Sequence, residues 1–451
     1  MTKTARWIFA AMVICALAGA FAPRALAQAG PISAPTSHVE VGQIPPPGLD
    51  KFDVKKATDA YLSRVSGKDR ARSDAYFEGG YVLSLVDTLY TLVVAGLLLW
   101  LRISSAMRNF AAGLTRFRFL QTPIYAVQYL VVTTVLGLPL AIYEGFIREH
   151  AYGLSNQNFL QWAGEFGINF GVGLIAFTIL LTVVYTVARV AKRSWWLWGT
   201  GVTVVFLAVM MMIGPVYIAP LTNHYTPLPE SGLRSSILSL ARANGIPADN
   251  VYTFDASKQS KRISANVSGF LGTTRISLND NLLNRCTPSE VIAVLGHEMG
   301  HYVMNHAGVE LTWFGLLFLA GFAFVNWGFR GLTNIFGGNW DVRTIDDPAG
   351  LPLIMALFSL FMLLATPISN TITRTHEIQA DIFGLNAARM PDAFATVTLK
   401  LGEYRKLDPS PLEEFVFFDH PSGRSRINEA MRWKKEHLGD PDIQSGPMSP
   451  Q

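Results

Sequence analysis

The sequence predicts a mainly α, polytopic membrane helix bundle of about six or seven spans that carries a small α+β domain. Three observations predict it. Half of the 451 residues are hydrophobic and only 16% are charged, too apolar a balance for an ordinary soluble chain. Six apolar runs each approach the ~20 residues that a helix needs to cross the hydrocarbon. Between the fourth and fifth runs the pattern changes to a surface helix, short alternating segments and a capped helix.

The elements follow in order. Residues 1–27 read as a signal peptide or a first membrane helix: Lys3 and Arg6 precede an apolar stretch over 7–22, and Ala25-Leu26-Ala27 has the small-residue pattern of a cleavage site. Residues 28–78 form an exported N-terminal segment, Pro-rich at first and then charged and helix-like. Runs at 79–101, 123–143, 167–187 and 195–221 make four membrane helices over 79–221, and runs at 311–329 and 351–368 make two more within 311–370. The intervening region 222–310 is the small α+β domain. In it, "PESGLRSSILSLARANG" reads as a surface helix, and "NVYTFDAS", "RISANVSGFL" and "TTRISLND" as strands. Residues 371–436 return to that domain, and 437–451 read as a disordered tail.

Loop charges orient the bundle. Arg102, Arg108, Arg116 and Arg118 flank the first loop, and Arg189, Lys192 and Arg193 the third. With one span per run these lie on one side, which the positive-inside rule makes cytoplasmic. Parity then places 222–310 on the opposite face. The expected location is a bacterial inner membrane with that face in the periplasm. A net charge of +4 without a basic stripe argues against nucleic acid as a partner. Of two cysteines, Cys15 falls in the segment expected to be removed, leaving Cys286 without a disulfide partner and excluding a cysteine-based zinc site.

The chemistry concentrates in "TPSEVIAVLGHEMGHYVMNH". Thr287, Pro288 and Glu290 form the start of a helix with a capping box. On that helix His297 and His301 stand four apart, so both imidazoles reach one ion. Glu298 stands where its carboxylate can take a proton from water activated by zinc, the logic of the H-E-x-x-H peptidases. A catalytic zinc takes three protein ligands. Met304 and Ala307 exclude the metzincin continuation, His306 is off the ligand face, and Glu310 sits at the membrane edge. The better source of a third ligand is "NTITRTHEIQADIFGLNAARM", where Glu377 and Asp381 are an i, i+4 pair. One of these carboxylates can bind the metal while the other holds a ligand histidine. Farther on, "FFDHPSGRSRINEAM" places His420 before a helix with Arg424 and Arg426. A His and an Arg near a polarised carbonyl can stabilise an oxyanion.

From about 58 to 433 the chain resembles the type I CAAX prenyl proteases, integral-membrane zinc metalloendopeptidases. The likeness rests on "LGLPLAIYEGFIREHAYGLSNQ", "IAPLTNHYTPLPESGLRSSI", "ANVSGFLGTTRISLND", "LGHEMGHYVMNH", "SNTITRTHEIQAD" and "DHPSGRSRI" in that order. The resemblance implies that one zinc per subunit is held by His297, His301 and Glu377, with Glu298 as general base and acid. It implies Asp381 behind a ligand histidine, and His420 and Arg426 near the scissile carbonyl. Asn266 falls in the strand that pairs with extended substrate, where an open edge supplies backbone hydrogen bonds. The implied fold encloses a large intramembrane chamber with the metal at one end. The implied partners are membrane lipid and a peptide or protein substrate, including a lipidated C-terminal segment. Two features depart from the family: its members keep an N-terminal membrane helix where this chain has a signal-like segment, and the eukaryotic members work in the cytosol. A quality-control membrane metalloprotease of the heat-shock type is the alternative enzyme. A non-catalytic zinc-binding membrane protein is the alternative outside enzymes, against which Glu298 argues.

Overall fold

A computed structural model describes residues 52–65, 67–269 and 274–443. The segment expected to be a signal peptide, residues 28–51 and the tail beyond 443 lie outside the described residues.

Helix α1 (Val54–Leu62) is capped by the Asp53 side chain. Long helix α2 (Gly67–Trp100), short helix α3 (Ile103–Leu114) and three more long helices follow: α4 (Arg118–Ala151), α5 (Phe159–Val190) and α6 (Trp195–Leu221). The small domain then runs β1 (Tyr225–Pro227), α7 (Gly232–Ala243), β2 (Val251–Phe254), β3 (Ala265–Ser268), β4 (Arg275–Asn279), α8 (Asp280–Arg285) and α9 (Pro288–Val303). Helices α10 (His306–Trp340) and α11 (Leu351–Ala388) cross back and forth, and α12 (Pro391–Leu401), α13 (Pro411–Phe417) and α14 (Gly423–Glu436) close the domain.

Among the described residues six helices are long and apolar enough to cross a membrane. Each is longer than its apolar run, because helical hydrogen bonding continues into polar sequence at either end. The consequence is largest at α11. It passes the expected end at 368 and runs unbroken to Ala388, so the last span and the Glu377–Asp381 pair share one helix. Residues 437–443 also depart from expectation. Asp440 and Asp442 pair with Arg389, and Ile443 is buried.

Strand order is β1-β2-β4-β3, with β2 and β4 parallel and the outer pairs antiparallel. The three expected strands are β2, β3 and β4. Strand β1 escaped notice because it is three residues long and ends in Pro227, a residue the edge of a sheet tolerates. The sheet packs α7 and α9 over Val251, Val267, Ile276 and Leu278.

The connections sort to two ends of the bundle. At one end lie α3, the turn at 191–194 and the loop 341–350. Arg108 bonds Asp347 at 2.8 Å and Asp341 at 2.6 Å, and Lys192 stands 3.9 Å from Asp346. At the other end lie α1, the loop at 152–158, the sheet and α9. Ser155 bridges to Ser260 there, and α1 packs on α12 and α14. Arg108 and Asp347 are both buried, and removing one partner of a buried pair strands the other charge. Arg108→Ala is therefore expected to cost about 3 kcal/mol, read as a fall in unfolding temperature in detergent micelles.

Candidate metal centre

Helix α9 begins as its sequence requires. The Thr287 side chain accepts from the Glu290 amide, Glu290 returns a bond to the Thr287 amide, and Pro288 occupies the first turn. The helix is buried at most of its positions, including His297 and His301, while Glu298 is half-buried. Its partner is α11, and glycines set how closely the two approach. A Cβ at Gly384 would lie 2.7 Å from the His297 amide nitrogen, and one at Gly300 would lie 3.1 Å from the Ala380 Cα. A glycine in a helix interior costs about 1 kcal/mol relative to alanine. Here it permits backbone contact between the two helices that carry the polar cluster.

That contact brings three donors together. His297 Nε2 lies 3.1 Å from His301 Nε2 and 3.3 Å from Glu377 Oε2, and His301 Nε2 lies 3.5 Å from Glu377 Oε1. Atoms bound about 2.0–2.1 Å from one tetrahedral ion sit about 3.3–3.4 Å apart, so the donor set fits a single zinc-sized cation. Glu377 Oε2 is buried without a hydrogen-bonded partner, as an atom meant for an ion would be. Glu377 rather than Asp381 stands with the two histidines in the donor cluster.

Asp381 stands behind the cluster and accepts from His297 Nδ1 at 2.7 Å. That bond leaves Nε2 with its lone pair toward the other donors. Burial opposes charge on His297, but Asp381 and Glu377 outweigh it and raise its pKa to about 10. The carboxylates that favour a proton there equally favour a metal cation in its place. Burial depresses His301 to about 3, so this ring is neutral as a ligand must be. Glu298 is raised to about 7, by burial first and then by the charge of Glu377. That value suits a group that takes and returns a proton near neutral pH.

His420 and Arg426 differ in where they land. His420 Nε2 lies 3.2 Å from Glu377 Oε1, and its Nδ1 faces Asp419 at 2.9 Å, so it stands at the rim of the donor cluster. Arg426 lines the chamber, and its Nε donates to Asp381 Oδ2 at 2.9 Å and its Nη2 to Asp381 Oδ1. The reason is charge: a buried aspartate needs a counter-ion, and Arg426 is buried beside it. Asn266 lies on β3, which among the described residues pairs only with β4 and so is an edge strand. Ser264 and Ala265, rather than Asn266, line the cavity. Glu310 stands outside the three-donor group and faces His376 at 3.3 Å.

A chamber of about 1610 Å³ extends from His297 and Glu298 into the bundle, past Tyr81, Glu144, Trp162 and Phe170. Sequence reasoning missed His306, whose Nδ1 lies 2.9 Å from His301 Nδ1. The signal was the asparagine before it. Asn305 adopts a left-handed conformation (φ 51°) that ends α9 and redirects the chain, so His306 does not continue the helix face on which it was judged.

Two family models match in sequence. "CAAX prenyl protease N-terminal, five membrane helices" matches residues 54–224, and "Peptidase family M48" matches 227–434. An uncharacterized metalloprotease of Bacillus subtilis, YhfN, is 32% identical over 343 residues, covering 76% of this chain and 79% of its own. The chain belongs to peptidase family M48. Within that family it groups with the CAAX prenyl proteases. CAAX prenyl protease 1 of Saccharomyces cerevisiae is 29% identical, covering 66% of this chain and 69% of its own, and the human homolog is 24% identical over 89% and 90%. The crystal structure of Ste24p from S. mikatae shares the fold with a TM-score of 0.68 at 20% identity, covering 95% of this chain and 98% of that one. This M48 chain is thus a membrane metalloendopeptidase, and the donor cluster described above lies in the part matched by the peptidase model. Four of its membrane-length helices fall in the part matched by the N-terminal model.

Proposed function

We propose that this M48 peptidase binds one zinc ion per subunit through His297, His301 and Glu377 and cleaves peptide bonds with Glu298 as general base and acid. The observation that carries the reading is the convergence of three buried donors beside a carboxylate that opens onto the chamber. When bound, zinc supplies Lewis acidity, activating water and polarising the scissile carbonyl. Glu298 accepts the proton of the attacking water and returns it to the leaving amine. Asp381 holds His297 in the tautomer with a free Nε2, and Arg426 holds Asp381 ionised. His420, at the rim, is the side chain of the C-terminal part placed to donate to the oxyanion as the tetrahedral centre forms. An extended substrate adds to the open edge of β3 beside Asn266. The aromatic wall of Trp162, Phe166 and Phe170 suits an apolar chain attached to the peptide, which fits a lipidated C-terminal segment.

The zinc reading is tested by chelation. The purified protein is expected to carry one zinc per chain, lose peptide hydrolysis on metal removal and regain it with zinc. Calcium or magnesium restoring activity equally well would overturn it.

We further infer that the catalytic end faces the periplasm of a bacterial inner membrane. The opposite end gathers Arg102, Arg108, Arg116, Arg118, Lys192 and Arg193, which supports a cytoplasmic position for it. Some of these charges are paired with aspartates, but the positive-inside rule counts lysines and arginines rather than net charge. Reporters fused near residues 110 and 260 are expected to read cytoplasmic and periplasmic respectively; a cytoplasmic signal at 260 would reverse the assignment.

A further inference from the structure

His306 is 3% exposed and lies behind His301, on the side away from the other donors. Its two ring nitrogens have different partners. Nδ1 lies 2.9 Å from His301 Nδ1, and Nε2 lies 3.1 Å from Gln379 Oε1. His376 stacks on the ring at 4.7 Å between centroids, and Glu310 faces His376 in turn, so the ring is held in plane.

The proton positions follow from donor and acceptor rules. An amide oxygen only accepts, so His306 Nε2 carries the proton. A neutral imidazole protonated at Nε2 has a bare Nδ1. The two Nδ1 atoms face each other outside the donor cluster that would hold a cation, so one proton lies between them and His301 donates its Nδ1–H to that bare nitrogen. His301 Nε2 then keeps its lone pair, aimed at His297 Nε2 and Glu377. Turning the amide nitrogen of Gln379 toward His306 would reverse every assignment. The proton would then sit on His301 Nε2, where it blocks a metal.

We propose that Gln379 and His306 form a relay that sets the tautomer of His301 and so completes the metal site. His306 is a positioning residue, doing for His301 what Asp381 does for His297. The two ligand histidines are oriented by different chemistry: a carboxylate clamped by Arg426 on one, and a neutral imidazole and amide on the other. The inference rests on the zinc-site reading above. Gln379 is exposed on α11, so its replacement tests the relay without disturbing a core.

The experiment measures zinc affinity of the full-length protein in micelles by competition with a chromogenic chelator. His306→Phe keeps a stacking ring but offers no acceptor, and is expected to bind zinc about 10–100-fold more weakly. Its metal-free unfolding temperature is expected to match that of the parent protein, which a merely structural role would not allow. His306→Gln, whose side-chain oxygen can accept, is expected to recover part of the loss. Gln379→Glu, which can only accept, is expected to retain binding, and Gln379→Lys, which can only donate, to lose it. Imidazole nitrogen NMR on labelled parent protein is expected to show His306 protonated at Nε2 and His301 at Nδ1. A His306 protonated at Nδ1, or His306→Phe and Gln379→Lys binding zinc as the parent does, would overturn the relay alone. A parent protein that binds no zinc would instead overturn the metal-site reading beneath it.

Discussion

Glu298→Gln is expected to abolish measurable peptide hydrolysis while leaving one zinc bound per chain. Glu298 stands next to His297 in sequence, but its side chain is half-buried and opens onto the chamber rather than joining the donor cluster. Glutamine is nearly isosteric, so the packing of α9 against α11 survives and the three donors keep their places. What disappears is the ability to take a proton. General acid–base catalysis contributes about 10²–10⁴ in rate, or about 3–5 kcal/mol of barrier. The check pairs a zinc assay with turnover of a quenched peptide. A variant that keeps both zinc and full activity would falsify the role of Glu298 as base, and one that loses zinc would place Glu298 among the ligands.

Gly384→Ala is expected to damage the site without altering any polar group. The new Cβ would meet the His297 amide nitrogen at 2.7 Å and the His297 Cα at 3.0 Å. Both are backbone atoms of a helix, so no side chain can move aside. Helices α9 and α11 must separate, and overpacking of this kind costs about 1–3 kcal/mol. The functional loss is larger, because one helix carries two of the clustered donors and the other carries the third. A misplacement of about 1 Å in a reacting group can cost about 100-fold in rate. Zinc affinity and turnover are therefore expected to fall together, with a modest drop in unfolding temperature. Gly331→Ala on α10 is the control: a Cβ there meets nothing within 4 Å, and stability is expected to hold or rise slightly. Full activity in Gly384→Ala would show that the two helices are not held by backbone contact.

The features legible in the sequence are those written in short-range spacing. His297 and His301 share a helical face at i, i+4, and Thr287 with Glu290 starts that helix; both relations span a single turn. The six membrane-length helices follow from the length of each apolar run, and the parity of their loops from counting. Their ends were less legible, because a helix continues past the membrane wherever polar residues still complete its hydrogen bonds, as α11 does to Ala388. The choice of Glu377 over Asp381 as ligand came from family resemblance, since spacing alone left both open. In the packed structure Glu377 faces His301, whereas Asp381 meets His297 at its far nitrogen.

The amino-acid sequence by itself determined a membrane metallopeptidase with a capped H-E-x-x-H helix and a carboxylate pair to complete it. Only the tertiary structure decided the rest. It joined Arg426 to Asp381, set His306 against His301 through the left-handed turn at Asn305, and seated Gly384 on the backbone of His297. The physical reason is range. Helical periodicity fixes which residues share a face over a few positions, whereas a hydrogen bond between residues 84 apart, such as His297 and Asp381, exists only after helices have packed and every buried charge has found its partner.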